Sequence, residues 1–183
     1  MKTQKGFTLI ELIIVIVVLG ILAVTAAPQF FNFSSDARLA TLQGMQGSIK
    51  GASDLIYGKS VIAGTQQVDK ESCGDAGDEA CEVEGIETKF GYPVADLSTD
   101  GDAESLGTIF AAVQASDWSF ASADLDTATT FSGTVPAGSI AIYPSGQATA
   151  DWDASTPTGC FILYTESSAA GAAPTAVITS DKC

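Results

Sequence analysis

Hydrophobic residues are unevenly spread along this chain, and their spacing changes character several times. From Phe7 to Ala27 the run is apolar and carries a single charge, Glu11. As a helix these residues extend about 31 Å, the thickness of a bilayer hydrocarbon core, so the pattern predicts a membrane-spanning segment. Pro28 ends the run. It lacks an amide hydrogen and disfavours helical geometry at Ala27, which predicts a kink or local opening. Beyond it the apolar positions thin to a stripe at Phe30, Phe33, Ala37, Leu42, Met45, Ile49, Ala52 and Ile56. Steps of three, four and five belong to an amphipathic helix. Gly44, Gly47 and Gly51 each lower its propensity by up to about 1 kcal/mol, so packing has to hold it. The expectation is one long helix whose first half is naked and whose second half lies across a sheet, ending near Gly58.

Residues 59 to 137 show no sustained period and are rich in Gly, Ser, Thr and Asp. They read as a long connection with a short helical candidate at Glu104 to Ala115, ending near Trp118. The pattern then turns to short β-prone runs bounded by Pro and Gly: Ser139 to Tyr143, Cys160 to Thr165 and Thr175 to Thr179. A helix first and an antiparallel meander last define an α+β arrangement in which the sheet buries one face against the second half of the helix. With 183 residues the chain suffices for one domain plus an extra element.

Charge sharpens this division into an apolar stalk and an acidic head. The formal net charge is -14, and Asp69 to Glu104 holds twelve acids against Lys70 and Lys89. Such a surface offers no electrostatic footprint for a phosphate backbone, which argues against a nucleic-acid partner. The sequence contains no histidine, so hydrolytic triads and zinc chemistry lose their commonest group, and neither an enzyme nor a cofactor is expected. Lys2 and Lys5 precede the apolar run with no matching cluster after it, which keeps the short N-terminus cytoplasmic and exports the rest. In an exported domain Cys73, Cys81, Cys160 and Cys183 are expected to form disulfides. Four cysteines allow three connectivities, and proximity favours Cys73 with Cys81 and Cys160 with Cys183. The second pair constrains the C-terminus, worth about 3 kcal/mol on a chain-entropy basis. A conventional signal peptide is the competing reading of the N-terminus, because Val24-Thr25-Ala26-Ala27 offers a small-residue cleavage site.

The heptapeptide Gly6-Phe7-Thr8-Leu9-Ile10-Glu11-Leu12 follows a six-residue basic leader. It closely resembles the prepilin signature of type IV pilins and their secretion-system relatives. That resemblance implies cleavage after Gly6 by a membrane-embedded prepilin peptidase and N-methylation of Phe7, with the apolar segment retained. It also implies that Glu11, costly in a bilayer without a partner, meets the N-terminal amine of a neighbouring subunit and sets the filament's register. A proline at the position of Pro28 and a C-terminal disulfide-bounded region like that between Cys160 and Cys183 are further family features. Residues 1–6 then read as leader, 7–28 as transmembrane and filament-core helix, 29–58 as the amphipathic half of the helix, and 59–183 as the globular head.

The stretches Ile21-Leu22-Ala23-Val24-Thr25-Ala26-Ala27-Pro28, Asp36-Ala37-Arg38, Thr41-Leu42-Gln43-Gly44-Met45 and Phe90-Gly91-Tyr92-Pro93 are similar to mannose-sensitive haemagglutinin pilins, a type IVa group of aquatic Gram-negative bacteria. The resemblance implies the major subunit of a surface filament serving adhesion, biofilm formation and near-surface motility. Its partners would be copies of itself, the peptidase and the inner-membrane assembly machinery, with surface or glycan ligands as candidates. The location would be the inner membrane as a precursor and the extracellular filament afterwards. A pseudopilin of a type II secretion system, or a minor pilin, is the alternative. Asp100, Asp102 and Glu104 are weak calcium candidates beside Asp96: glycine falls at the second position of the loop and Ala111 stands where a bidentate glutamate is needed. Trp118, Trp152, Tyr92 and Tyr143 are candidates for an aromatic sugar platform, although such residues more often fill a core.

Overall fold

A computed structural model describes residues 6–73, 81–96, 117–122, 131–132, 135–145, 150–151 and 157–183. Two compact units divide the chain, Met1–Arg38 and Leu39–Cys183. A single helix, α1, covers Leu9–Ala63 and so enters both. It is assigned without a break through Pro28, the position at which the sequence predicts a kink. The helix passes Gly58 and ends at Ala63, a correction to the expected terminus. A glycine inside a helix lowers propensity but is tolerated; the stop comes from Gly64, whose φ of +80° suits a residue without Cβ. There Gly64 N donates to Val61 O at 3.3 Å and Thr65 N to Ser60 O at 2.9 Å, the two bonds that close a Schellman cap.

In the Leu39–Cys183 unit the buried face of α1 is Leu42, Met45, Ile49, Ser53, Ile56 and Ser60, spaced three or four apart as a helical face requires. It packs on a four-stranded antiparallel sheet in the order β4-β6-β8-β9, formed by Trp118–Ser122, Ser139–Pro144, Phe161–Thr165 and Thr175–Thr179. The central strand β6 is buried on both faces. Ile140 and Ile142 join Ile162 and Tyr164 beneath the helix residues, while Ala141 and Tyr143 meet Phe161 and Val135 on the reverse side. Alternation across the pleat sends neighbours to opposite faces. Gln46 Nε2 donates to Ala176 O at 2.7 Å and ties the helix to edge strand β9.

The connection expected between 59 and 137 is more ordered than its lack of periodicity implied. Within it, β1 (Glu82–Val83), β2 (Ile86–Lys89) and β3 (Tyr92–Pro93) form a small antiparallel meander. Strands this short cannot display alternation, so their signal lies in the turns. Glu84-Gly85 and Phe90-Gly91 occupy two-residue loops with positive φ at both positions, the twist that suits a tight hairpin. A Cβ at Gly91 would also collide with Ser60 Oγ at the end of α1. Trp118, read as the end of a connecting helix, begins strand β4 instead; the helical candidate 104–115 lies outside the described residues. Phe131–Ser132 (β5) and Ala150–Asp151 (β7) make a short parallel pair.

Candidate functional site

The N-terminal segment presents the most unusual surface of the molecule. Phe7 is 96% exposed, and the large apolar side chains from Leu9 to Val24 are between 45% and 77% exposed. The window Leu9–Ala26 has a mean hydropathy of 3.0 and none of it is buried within the chain. Scattered exposed leucines need no explanation, but a helix apolar on every side does, because water is a poor solvent for it. Its length and composition suit a bilayer.

Glu11 stands four residues after Phe7 in this segment, and the structure gives it a local partner that its charge alone does not suggest. Thr8 N donates to Glu11 Oε2 at 2.8 Å, Thr8 Oγ1 donates to the same oxygen at 2.7 Å, and Glu11 N approaches Thr8 Oγ1 at 3.4 Å. Thr8 caps α1 and Glu11 reaches back, which is the reciprocal capping box of the pattern Thr-x-x-Glu. That signal stands in the sequence, at the start of the apolar run. Both Thr8 donors are neutral, so the box satisfies hydrogen bonding without cancelling the charge. Gly6, next to the expected cleavage point, is exposed with open space around it.

In the head the structure joins Cys160 to Cys183, Cα atoms 4.8 Å apart, and Cys73 to Cys81, Cα atoms 6.3 Å apart. The first bond fastens the chain end to the start of β8 beside the core. The calcium candidates Asp100, Asp102 and Glu104 lie outside the described residues. Asp96 is 3.8 Å from Lys70, which also meets Glu87 at 2.9 Å. Among the described residues no group of three or more metal-binding side chains comes together. The aromatic platform is not assembled by those of its members that are described. Tyr92 is buried and stacks on Tyr57 with ring centroids 4.4 Å apart, while Tyr143 is buried on the reverse face of the sheet. Trp152 lies outside the described residues.

One polar cluster was not anticipated. Glu166 accepts from Lys89 Nζ at 3.0 Å through Oε1 and from Ala95 N at 3.2 Å through Oε2. Tyr164 OH donates to Pro93 O at 2.7 Å. Together these bonds fasten the meander to strand β8 and the residue that follows it. Glu166 holds the Lys89 ammonium above its ordinary pKa, against the opposing effect of burial. Burial pushes the Tyr164 phenol far up as well.

Comparisons with known proteins bear on the N-terminal segment. Residues 1–27 match the family described as the prokaryotic N-terminal methylation motif. A fimbrial protein of Pseudomonas aeruginosa is 34% identical over 73 residues, 39% of this chain and 47% of that protein. The type IV major alpha-pilin of Moraxella bovis is 40% identical over 77 residues, covering 40% of this chain and 48% of the relative. The type IV major fimbrial protein FimA of Dichelobacter nodosus is 41% identical over 58 residues, 31% of this chain and 37% of that protein. The chain thus spans about half the length, or less, of these curated relatives. No solved structure matches it. The chain combines an N-terminal methylation motif, an exposed apolar helix and an antiparallel sheet. Over the matched residues it is similar to type IV pilins and fimbrial proteins.

Proposed function

We propose that the chain is the major structural subunit of a type IV pilus, of the type IVa group and similar to mannose-sensitive haemagglutinin pilins. The observation that carries the reading is the exposed apolar surface of Leu9 to Val24 behind a methylation motif. Such a surface requires a bilayer before assembly and copies of itself afterwards, and burial among copies supplies the main drive for polymerisation. A prepilin peptidase cleaves after Gly6 and Phe7 becomes the methylated terminus. Loss of Lys2 and Lys5 takes the formal side-chain charge from -14 to -16. The assembly machinery of a Gram-negative inner membrane then builds the surface fibre, which serves adhesion, biofilm formation and near-surface motility. The role is structural and not catalytic. Pro28 is the point at which the helix opens on assembly.

Glu11 supplies the register by meeting the N-terminal amine of a neighbour. Its capping bonds with Thr8 hold the carboxylate at the start of the helix until that partner arrives. Intact mass and N-terminal sequencing of protein sheared from the surface of the source cells test the whole reading. N-methyl-Phe7 in a high-molecular-weight fraction is the expected result. A terminus beyond Ala27 would overturn it, and processed protein confined to the cell envelope would transfer the reading to a pseudopilin. In cells, Glu11→Ala precursor should be inserted and processed yet enter fibres poorly; a normal fibre yield would remove the register role.

A further inference from the structure

Two tyrosines face one another where the last turns of α1 meet the meander. Tyr57 of α1 and Tyr92 of β3 stack with ring centroids 4.4 Å apart and planes inclined by 10°. The backbone sets the position of the Tyr92 ring from both sides. Before it, Gly91 has a φ of +79° and brings β3 so close to α1 that a Cβ there would strike Ser60 Oγ. After it, Pro93 O accepts from Tyr164 OH at 2.7 Å. Tyr57 is fixed from its own side, next to the buried Ile56 on the helix.

Packing alone accounts for a stacked pair; its chemistry is a separate matter. Tyr143 and Tyr164 are buried and have no stacked ring among the described residues. Tyr57, by contrast, is half-buried and open to solvent, with Tyr92 behind it at 8% exposure. Neither phenol of the pair hydrogen-bonds to a described residue. Burial first and the Tyr57 phenol second raise the Tyr92 pKa, so the two hydroxyl groups are within electrostatic reach of one another. An electron taken from Tyr57 leaves a hole that the second ring shares, which makes the pair a better donor than a lone phenol. A phenoxyl radical carries its unpaired spin in orbitals perpendicular to the ring, much of it on the carbons ortho to oxygen. Face-to-face rings point those orbitals at each other, and the fold replaces a chance encounter with a standing contact.

We infer that Tyr57 and Tyr92 form an oxidative coupling site, closed to a dityrosine bridge by a soluble one-electron oxidant such as the high-valent haem of a peroxidase. Each phenol gives one electron to the oxidant and its proton to water. The two radicals join by a bond between ortho carbons. Each of these carbons then gives up its hydrogen, the ring regains aromaticity and the hydroxyl is restored. In sum two C–H bonds are replaced by one C–C bond, two protons leave and two equivalents of oxidant are reduced. Tyr57, the more exposed partner, is the ring that turns out of the stack as the biaryl forms. The bridge ties α1 to β3 in the unit that already holds both disulfides, and thiols do not open it. The inference goes beyond the filament reading and does not rest on it, because both rings belong to one chain.

The test uses the full chain in detergent micelles and photogenerated tris-bipyridyl ruthenium(III), with persulfate supplying the oxidising equivalents. The expected product is a monomer lighter by two hydrogen atoms, with dityrosine fluorescence and a proteolytic peptide pair joined through Tyr57 and Tyr92. Its yield per chain should hold across a roughly hundredfold dilution, because each ring carries its partner with it. Tyr57→Phe and Tyr92→Phe keep a stacked ring without the hydroxyl, so the fold is retained, and each should lower the bridged monomer at least about tenfold. Tyr143→Phe, on the reverse face of the sheet, should leave the yield unchanged. With the disulfides reduced, the bridged chain should unfold at a higher urea concentration than the unbridged one, as a cross-link requires. The inference is overturned if bridges form only between chains and fade on dilution, or if the tryptophans gain oxygen while Tyr57 and Tyr92 stay intact. It is equally overturned if Tyr57→Phe leaves the bridge in place, or if chain unfolded in urea before oxidation gives the same bridge in the same yield.

Discussion

The two halves of α1 place similar residues under opposite conditions. From Leu9 to Val24 the large side chains keep about half or more of their surface, whereas Leu42 and Ile49 of the same helix keep none. The first half is apolar all round, so no single face could cover it within its own chain. The second half gathers Leu42, Met45 and Ile49 into a stripe and has a sheet to receive it, although Leu55, Val61 and Ile62 stay exposed. Stability of the head and competence of the stalk should therefore be separable. Leu42→Ala leaves a cavity under α1 and should cost the head about 2–5 kcal/mol in urea unfolding of the full chain in detergent. Leu19→Ala should stay within about 0.5 kcal/mol in the same measurement, since it removes no contact made inside the chain. Equal losses for the two would end the distinction.

The cysteines sharpen the same contrast, because both disulfides lie in the unit that packs internally. Cys160–Cys183 closes the longer segment, with a sequence separation of 23 against 8 for Cys73–Cys81. On chain entropy alone, replacing Cys160 and Cys183 together by serine should cost about 3 kcal/mol, and replacing the shorter pair about 2.5 kcal/mol. Helical content of the Leu9–Ala26 segment in micelles, read by amide chemical shifts, should be untouched by either change. A loss of helix there on reduction would show that the halves are coupled.

Much of this arrangement was legible in the sequence where a residue's neighbours repeat the same message. The run from Phe7 to Ala27, apolar but for a few polar positions and one charge, marks the first half, and Leu42, Met45 and Ile49 announce the buried face of the second. Strands β6, β8 and β9 showed themselves through β-branched and aromatic runs between turn residues. The meander at 82–93 did not, because its information sits in the backbone conformation of Glu84-Gly85 and Phe90-Gly91 and not in periodicity. Ser53 and Ser60 were invisible as core positions for a related reason: they are small polar residues at apolar spacing, and only the three-dimensional structure shows both of them buried. Glu166 lies after the end of β8 with no local signal of its contact with Lys89, a residue 77 positions away in the chain.

That contact gives the head a pH dependence that the apolar stalk should lack. Lys89, Tyr92 and Tyr164 all have their pKa values raised in the folded chain, Lys89 first by its bond to Glu166 and the two tyrosines first by burial. A group with raised folded pKa binds its proton more tightly when folded, so its contribution is complete below the unfolded value. It is then lost as pH rises through the folded value. Head stability should accordingly decline above about pH 10, where free tyrosine and lysine titrate. Lys89→Met should flatten part of that decline while lowering stability at neutral pH, because Glu166 keeps its bond to Ala95 N but loses its cation. An alkaline profile unchanged by Lys89→Met would remove Lys89 from the account.

The smallest expected change lies at the other end of the comparison, in the capping box of Thr8 and Glu11. Thr8→Val keeps the size and β-branching of the side chain but removes the hydroxyl that donates to Glu11 Oε2 at 2.7 Å. Unfolding of the head should be unaffected, since Thr8 lies outside its unit. Amide exchange in the first turn of α1 should rise by roughly fivefold, the scale of a lost cap. Glu11→Gln supplies the complementary case, because an amide oxygen still accepts from Thr8 N but the charge is gone. If Glu11 acts only as a cap, Glu11→Gln should form fibres in normal yield and Thr8→Val should share any defect of Glu11→Ala. If the charge sets register, Glu11→Gln should fail as Glu11→Ala does while Thr8→Val assembles. The two substitutions divide the geometry of one carboxylate from its electrostatics, and fibre yield reads the difference directly.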